Sequence, residues 1–281
     1  MPLTFRWKGS MSLPVEATGL SPENLALLDA SAAARLMLPV GNTTAEVGDL
    51  FQVVGDGHDE RVVFEGDLSH VRGLGQGMKS GSILVRGPVG PRLGAEMVGG
   101  RIEAEGDVAG WAGAEMRGGS LRIRGTAGEG LGAAFPGSRS GMREGIILVE
   151  GSVGPDAGLA MRRGLIAING EAGDGLGRAM IAGSIFAFGN SGRRTGAGMK
   201  RGTIVLLKRP HTDLLPTFAR AGTYQPVFLG LYLGRLRHWG FPVPETAFAG
   251  PWERYNGDLV EQGQGEILVR AGGTGPGAVG V

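Results

Sequence analysis

A repeat of 19 residues fills the middle of this 281-residue chain and limits its fold more than any other feature. Methionines mark the repeat at Met78, Met97, Met116, Met142, Met161, Met180 and Met199. Glycines close short apolar segments in the same phase at Gly66, Gly87, Gly106, Gly125, Gly151, Gly170 and Gly189. One interval is seven residues longer, which places an insertion within residues 133–141. Self-similarity at such a period is typical of solenoids, in which each repeat forms one structural unit.

Each repeat carries a five-residue segment in which apolar and variable residues alternate, as Ile166 and Ile168 do before Gly170. Alternation points one face inward, and stacked strands lie about 4.8 Å apart. Glycines suit the corners because they adopt positive φ without strain. The pattern predicts a mainly β fold, a right-handed parallel β-helix of about seven 19-residue coils with small N- and C-terminal capping segments. The period disfavours left-handed hexapeptide β-helices and leucine-rich repeats.

The flanking segments differ from the repeat and are predicted to cap it. Residues 1–60 form the N-terminal cap, with a strand at Leu3–Arg6 and a helix beginning after Ser21, where Pro22 follows the N-cap. Residues 61–207 form the β-helix. Residues 208–281 form a helical cap and tail, with two short amphipathic helices around Pro226, a strand-like return over 251–270 and a disordered end from Ala271.

Composition excludes several classes of protein. The net charge is +1, so nucleic-acid binding through a global basic field is not expected. The chain contains no cysteine, which excludes disulfides and thiolate metal sites and fits a reducing cytoplasm. The sequence contains neither a signal-peptide pattern nor a membrane-spanning apolar run, so no membrane partner is expected.

The sequence offers no catalytic constellation, and we predict no catalytic residue, metal or cofactor on this chain. The glycine clusters at residues 73–77 and 128–132 are in phase with the repeat, whereas a dinucleotide fingerprint links a strand to a helix. The four histidines have no metal-ligand spacing; they are His58, His70, His211 and His238. The neighbouring carboxylates Glu103 and Glu105 are interpreted as a solvated face.

The most informative polar feature is a row of cations after the methionines, which we call the basic edge. It consists of Lys79, Arg117, Arg143, Arg162, Arg163, Lys200 and Arg201. Stacked cations about 5 Å apart repel each other by roughly 1 kcal/mol in water. Two explanations are open. Glu96, Glu115 and Glu144 could neutralise the edge internally, or the edge could bind a polyanion or an acidic partner surface.

Outward-facing aromatic residues indicate contacts beyond the coil. Phe186 and Phe188 leave apolar area on a solenoid side that should otherwise be polar, so the C-terminal segment, another subunit or a mixture of both should cover it. Phe135, next to Pro136 in the insertion, would suit an interface anchor. All three are predicted partner contacts, and an ordinary surface loop is the alternative for Phe135.

The repeat resembles the β-helical C-terminal domain of the glutamate synthase large subunit. It is more similar to the C subunits of formylmethanofuran dehydrogenase and of the related bacterial formyltransferase/hydrolase complex. Both flanks take part in the resemblance, at Leu50–Gly55, Leu229–Gly240, Arg254–Asp258 and Gly263–Leu268.

The resemblance implies a role in one-carbon metabolism, in which a formyl group passes between tetrahydromethanopterin and a methanofuran-type carrier. In that family the chemistry lies on an amidohydrolase-like subunit and on a formyltransferase subunit, and this chain would be the non-catalytic scaffold joining them. The bacterial carrier has a long polyglutamate chain, which the basic edge would suit. The alternatives are the C subunit of an archaeal-type molybdenum or tungsten dehydrogenase and a glutamate-synthase-type structural domain. A polysaccharide lyase would need a groove with clustered carboxylates or arginines, which the sequence lacks.

Overall fold

A 13-stranded sheet forms the body of the protein in a computed structural model that describes residues 1–9, 13–210 and 212–272. The expectations for His211 and for the tail beyond residue 272 lie outside the described residues. The strands, numbered in chain order, are β1 (Leu3–Trp7), β2 (Val15–Glu16), β3 (Met37–Val40), β4 (Thr43–Glu46), β5 (Phe51–Val54), β6 (Arg61–Glu65), β7 (Val71–Arg72), β8 (Ser82–Arg86), β9 (Arg101–Ala104), β10 (Arg117–Ile123), β11 (Glu144–Val149), β12 (Leu165–Ile168), β13 (Ser184–Ala187), β14 (Arg201–Leu206), β15 (Ala219–Tyr224), β16 (Trp252–Gly257) and β17 (Gln264–Arg270). The helices are α1 (Pro22–Leu25), α2 (Ala30–Ala34), α3 (Val47–Leu50) and α4 (Val227–His238), with a 3-10 turn at Glu245–Phe248.

The repeat strands stack in parallel and in register. The order β6, β8, β9, β10, β11, β12, β13, β14 follows the chain, and equivalent positions pair directly, as Ile166 does with Ile185. A second ladder of parallel bridges joins Leu68, Val89, Val108, Ala127, Val153, Ala172 and Ser191. A third runs through the methionines, where the Val98 amide donates to the Met78 carbonyl at 2.8 Å. The fold is mainly β and consistent with a β-helix-like architecture.

The interior is filled by stacked apolar side chains. The seven repeat methionines are fully buried, which suits a flexible side chain that fills irregular space. Gly119 shows why the repeat has a glycine just before its apolar alternation: its φ is +79°, and a Cβ there would lie 2.8 Å from the Gly100 carbonyl oxygen. The repeat can close this tightly only without a side chain at that corner.

The N-terminal segment closes one end of the stack. Strand β1 pairs in parallel with β6 and antiparallel with β5, which confirms the predicted strand. Phe5 stacks on Phe64 at 4.9 Å and meets Phe51 edge-on at 5.9 Å. Helix α1 begins after Ser21 as predicted, although the Ser21 side chain makes no capping hydrogen bond. Aromatic packing therefore covers the first repeat.

The C-terminal segment differs from the prediction of two helices around Pro226. Only α4 follows Pro226; the residues before it form β15, which pairs antiparallel with β16. Pairing in an extended sheet satisfies the backbone of this segment better than a short isolated helix would. The predicted strand-like return is confirmed as β16 and β17, and β17 pairs in parallel with β14.

No helix within the described part of the chain combines the length and apolar character needed to cross a lipid bilayer.

Candidate functional site

The structure aligns the basic edge along one corner of the stack. From the second repeat onward, the residue that follows each methionine donates its amide to a methionine carbonyl in the preceding repeat. The N···O distance is 2.7 Å for Arg117 and for Arg143, and 2.8 Å for Arg162 and for Lys200. Adjacent members of this ladder are therefore one strand spacing apart, about 4.8 Å. Arg117, Arg143 and Arg162 are consecutive on this ladder, whereas Val98 separates them from Lys79 and Ile181 separates them from Lys200.

Most cations of the basic edge have no carboxylate partner. Lys79, Arg117, Arg143, Arg162 and Arg163 are exposed, and over residues 1–9, 13–210 and 212–272 none of their side-chain nitrogens lies within 4.0 Å of a carboxylate oxygen. The backbone amide of Lys79 does donate to Glu23 Oε1, at 3.0 Å. The last two members do have partners. Lys200 Nζ lies 3.7 Å from Glu261, and Arg201 Nε donates to Gln264 Oε1 at 2.9 Å.

The three carboxylates expected to neutralise the edge do not form those ion pairs. Glu96 accepts a hydrogen bond from Gln76 Nε2 at 2.9 Å. Glu115 is buried and accepts from the Phe135 amide at 3.2 Å. Glu144 is exposed and forms no ion pair among the described residues. None of the three carboxylates therefore forms an ion pair with the basic edge among the described residues, although Glu144 is the strand partner of Arg117.

A second feature is an apolar outer face of the sheet that α4 covers, which we call the helix-covered face. Its buried members come from β11 to β14, from β17, from α4 and from the segment after α4: Leu148, Leu165, Ala167, Phe186, Phe188, Val205, Leu207, Leu229, Leu233, Leu236, Phe241, Val243, Ala247, Trp252 and Leu268. Phe186 is 1% exposed and stacks against Tyr232 at 5.5 Å; Phe188 is 6% exposed and lies 5.3 Å from Phe241. The prediction that Phe186 and Phe188 contact a partner is corrected, because this chain's own C-terminal segment covers both.

Phe135 is half-buried in the insertion and stacks on Trp111, with the ring centroids 5.5 Å apart. The residues that follow it, 136–139, are exposed. The contact of Phe135 with a partner stays a prediction.

Arg122 was not singled out by the sequence, yet it fastens α4 to the sheet. Its guanidinium donates to Glu150 Oε1 at 2.6 and 2.8 Å. It also donates to the carbonyls of Trp239 and Gly240, both at 2.7 Å. These carbonyls end α4, where acceptors lack helical partners and the helix dipole is negative. The sequence feature that could have indicated this role is the outward position of Arg122 in β10, next to the apolar residues of β11.

The outer face of the earlier strands is charged and internally paired. Glu103 lies 2.7 Å from Arg124 and 3.3 Å from Arg101. Burial alone would raise the pKa of Glu103, but the hydrogen bond and charge of Arg124 outweigh it, so that pKa lies below its ordinary value. Glu103 therefore stays ionised at neutral pH, which suits a structural ion pair better than a proton donor.

Two clefts lie between the C-terminal part of α4 and the sheet, and Trp239 lines both. One has a volume of about 400 Å³ and reaches Arg101, Arg122 and His238. The other, about 460 Å³, reaches the glycine corner at residues 118–119, next to Arg117 of the basic edge. The Arg235 guanidinium lies 5.1 Å from the Trp239 ring centre. These groups can bind anions and flat apolar groups.

Across the described ranges, no group of three His, Asp or Glu side chains is placed to hold a metal ion. His58, His70 and His238 lie in separate segments of the structure. The glycine clusters at residues 73–77 and 128–132 form turns of the repeat and lead into no helix.

No protein-family model matches the chain. The chain is similar over 95% of its length to a chain in the X-ray structure of the formyltransferase/hydrolase complex FhcABCD from Methylorubrum extorquens in complex with methylofuran. The TM-score is 0.86, the sequence identity is 33%, and 99% of that chain is covered.

Shorter similarities link the chain to curated relatives. It is 37% identical over 88 residues to the C subunit of the molybdenum-containing formylmethanofuran dehydrogenase 1 of Methanothermobacter marburgensis, which is 31% of this chain and 22% of that relative. It is 35% identical over 90 residues to the C subunit of the Fhc complex of Methylorubrum extorquens, covering 34% of that relative. With the full-length structural match, these similarities show that the chain belongs to the family formed by the C subunits of formylmethanofuran dehydrogenases and of the formyltransferase/hydrolase complex.

Proposed function

We propose that this chain is a non-catalytic scaffold subunit of a multisubunit formyltransferase/hydrolase complex. The complex would move a formyl group between tetrahydromethanopterin and a methanofuran-type carrier in the cytoplasm. The single observation that carries the proposal is the match over 95% of the chain to a chain of the FhcABCD complex. The partners would be an amidohydrolase-like subunit and a formyltransferase subunit, with the chemistry on those chains.

The scaffold proposal predicts the composition of the native assembly. Purification from the source organism through a tag on this chain should recover an amidohydrolase-like and a formyltransferase-like chain in fixed ratio. Native mass spectrometry and peptide identification would measure this composition. Recovery of a stable lone monomer with neither partner would overturn the proposal.

A redox-linked dehydrogenase is the second candidate, because the chain also aligns with the C subunit of a molybdenum-containing formylmethanofuran dehydrogenase. Molybdenum or tungsten in the purified complex, measured by mass spectrometry of the metal content, would favour this assignment. A metal-binding amidohydrolase-like chain without either element would favour the hydrolase complex.

We further infer that the stack is a right-handed coil of about seven turns. Connections between parallel strands of one sheet are right-handed in about 98% of cases. The repeat strands pair in parallel and in chain order, so each connection is of this kind.

We also propose that the basic edge binds the polyglutamate chain of the carrier. The supporting observations are the alignment of Arg117, Arg143 and Arg162 on one ladder and their lack of carboxylate partners among the described residues. A flexible polyanion can follow such a track, gaining several weak contacts and relieving repulsion between the stacked cations.

Removing three cations from the edge should weaken polyglutamate binding. The triple variant Arg117→Ala/Arg143→Ala/Arg162→Ala is expected to bind a polyglutamate peptide about tenfold more weakly, because three exposed ion pairs at about 0.5 kcal/mol each approach the 1.4 kcal/mol of one decade. Isothermal titration calorimetry at low and high salt would measure the Kd, and wild-type binding should weaken with salt.

A matched variant shows whether polyglutamate binding depends on the basic edge itself or only on the net charge of the chain. Arg35→Ala/Arg72→Ala/Arg139→Ala removes three exposed arginines from other parts of the chain. It should keep near wild-type affinity. Equal losses in the two triple variants would contradict a specific track, and no loss in either would exclude the basic edge as the binding site.

A further inference from the structure

Helix α4 is apolar on both of its long faces. Leu229, Leu233 and Leu236 point into the helix-covered face and are at most 2% exposed. On the opposite side Val227 is 87% exposed and Leu231 is 77% exposed. A surface helix ordinarily has one polar face, and a helix that is apolar all round is typical of a buried position. The part of the chain that the structure describes leaves Val227 and Leu231 on the outer face of α4 largely uncovered.

Two glycines lie next to these exposed residues. Gly230 and Gly234 are one helical turn apart, and a Cβ at either position would meet nothing within 4 Å. Each glycine costs a helix interior about 1 kcal/mol relative to alanine. Crowding within this chain therefore does not explain them. They flatten the helix surface beside Leu231, so that a neighbouring backbone could come close.

The charge of α4 limits what could cover this face. The helix contains Arg235, Arg237 and His238 and no acidic residue. Arg237 pairs with Glu245 at 2.7 Å, whereas Arg235 has no carboxylate within 4.0 Å in the described part of the chain. A second copy of α4 would bring only the same cations. A different polypeptide that carries carboxylates would complement them.

We propose that the outer face of α4, formed by Val227, Gly230, Leu231, Gly234 and Arg235, docks a helix of another subunit of the complex. That helix would present an apolar stripe to Leu231 and Gly234 and a carboxylate to Arg235. This inference rests on the proposed function, because it takes the partner from the same complex. Helix α4 would then join two subunits through its two apolar faces.

The test compares two substitutions at positions of equal exposure. Leu231 and Val260 are each 77% exposed, so Leu231→Glu and Val260→Glu add the same charge at similar sites. Neither should change the thermal midpoint of the isolated chain. In the complex purified through a tag on this chain, Leu231→Glu is expected to lower recovery of one partner subunit about tenfold, because it buries an unpaired carboxylate in an apolar contact. Val260→Glu should match the wild type.

A photo-crosslinking residue at position 231 would identify the occupant. A crosslink to a helix of another subunit that carries Asp or Glu near the reacted residue supports the inference; a crosslink to a second copy of this chain overturns it. If the wild type recovers its partners and Leu231→Glu loses none, the inference fails and the scaffold proposal stands. If the wild type recovers no partner, both fail.

Discussion

Replacement of Gly170 by alanine is expected to destabilise the chain by about 3 kcal/mol, the upper part of the range for overpacked interiors. Gly170 has no positive φ, so the effect is one of contact and not of backbone conformation. A Cβ would lie 2.5 Å from the carbonyl carbon of Gly151 and 2.6 Å from the Ser152 nitrogen. The Gly170 amide also bonds to the Gly151 carbonyl at 2.9 Å, so separating the repeats would break the ladder. Urea unfolding followed by circular dichroism measures the change.

Gly19→Ala is the matched control. Gly19 lies outside the repeat, has no positive φ, and a Cβ there would meet nothing within 4 Å. Its substitution should change the free energy of unfolding by no more than about 0.5 kcal/mol. If both variants unfold at the same urea concentration, close backbone contact between repeats is not what requires glycine at this corner.

The repeat could be predicted from the sequence because its structural contacts follow the period of the sequence. Residues such as Ile166 and Ile185 occupy equivalent places in consecutive repeats and pair directly in the sheet. Alternation fixed which face is buried, and the methionines identified an interior corner. The first strand, Leu3–Trp7, could also be predicted from the sequence, because its apolar residues Leu3 and Phe5 alternate with polar ones and pack inside the stack.

The C-terminal segment was predicted less well because its structure depends on distant partners. Residues 219–224 show no strong strand alternation, yet they pair with β16, more than 25 residues later in the chain. The apolar outward residues of β13 were recognised, but the sequence could not decide between the C-terminal segment and another subunit as their cover. Packing of Phe186 against Tyr232 decides this in favour of α4.

The alignment of the basic edge could be predicted from the sequence, whereas the sequence left open whether carboxylates of the same chain pair with it. Arg117 and Arg143 each follow a methionine of the repeat, and this was enough to predict that they lie on one edge of the stack. The hydrogen-bond partners of the carboxylates could not be predicted from the sequence. Glu96 accepts from Gln76, and Glu115 is buried and accepts from the amide of Phe135 in the insertion. Arg122 was missed since its two acceptor carbonyls lie more than 100 residues later in the chain.

The outer face of the sheet divides into two parts with different consequences for assembly. The earlier strands carry internally paired charges such as Glu103 with Arg124, which leave little free energy for binding. The later strands are apolar and are covered by α4, whose own outer face is again apolar. Arg122 lies where the two parts meet and fixes the end of α4. For the proposed scaffold role, a helix held by these contacts would be favourable, because a loosely docked helix would lose conformational entropy on each association.

Phe186→Ala is expected to have the largest effect on the helix-covered face, a loss of about 3 to 5 kcal/mol in the free energy of unfolding. The Phe186 ring is 1% exposed and lies between the sheet and Tyr232 of α4. Its removal leaves a cavity at the contact between α4 and the sheet. We therefore expect α4 to detach before the repeats unfold, so that trypsin cleaves after Arg235 and Arg237 while residues 61–207 resist digestion.

Phe228→Ala is the control that distinguishes loss of the contact between Phe186 and Tyr232 from loss of any aromatic residue near α4. Phe228 is 36% exposed and meets Tyr232 edge-on at 6.3 Å, so its removal should cost about 1 kcal/mol and leave the protease pattern unchanged. If Phe186→Ala were no more sensitive to trypsin than Phe228→Ala, the apolar contact would not hold α4 in place. The hydrogen bonds from Arg122 to the end of the helix would then be the main attachment, and a rigid helix would depend on one side chain.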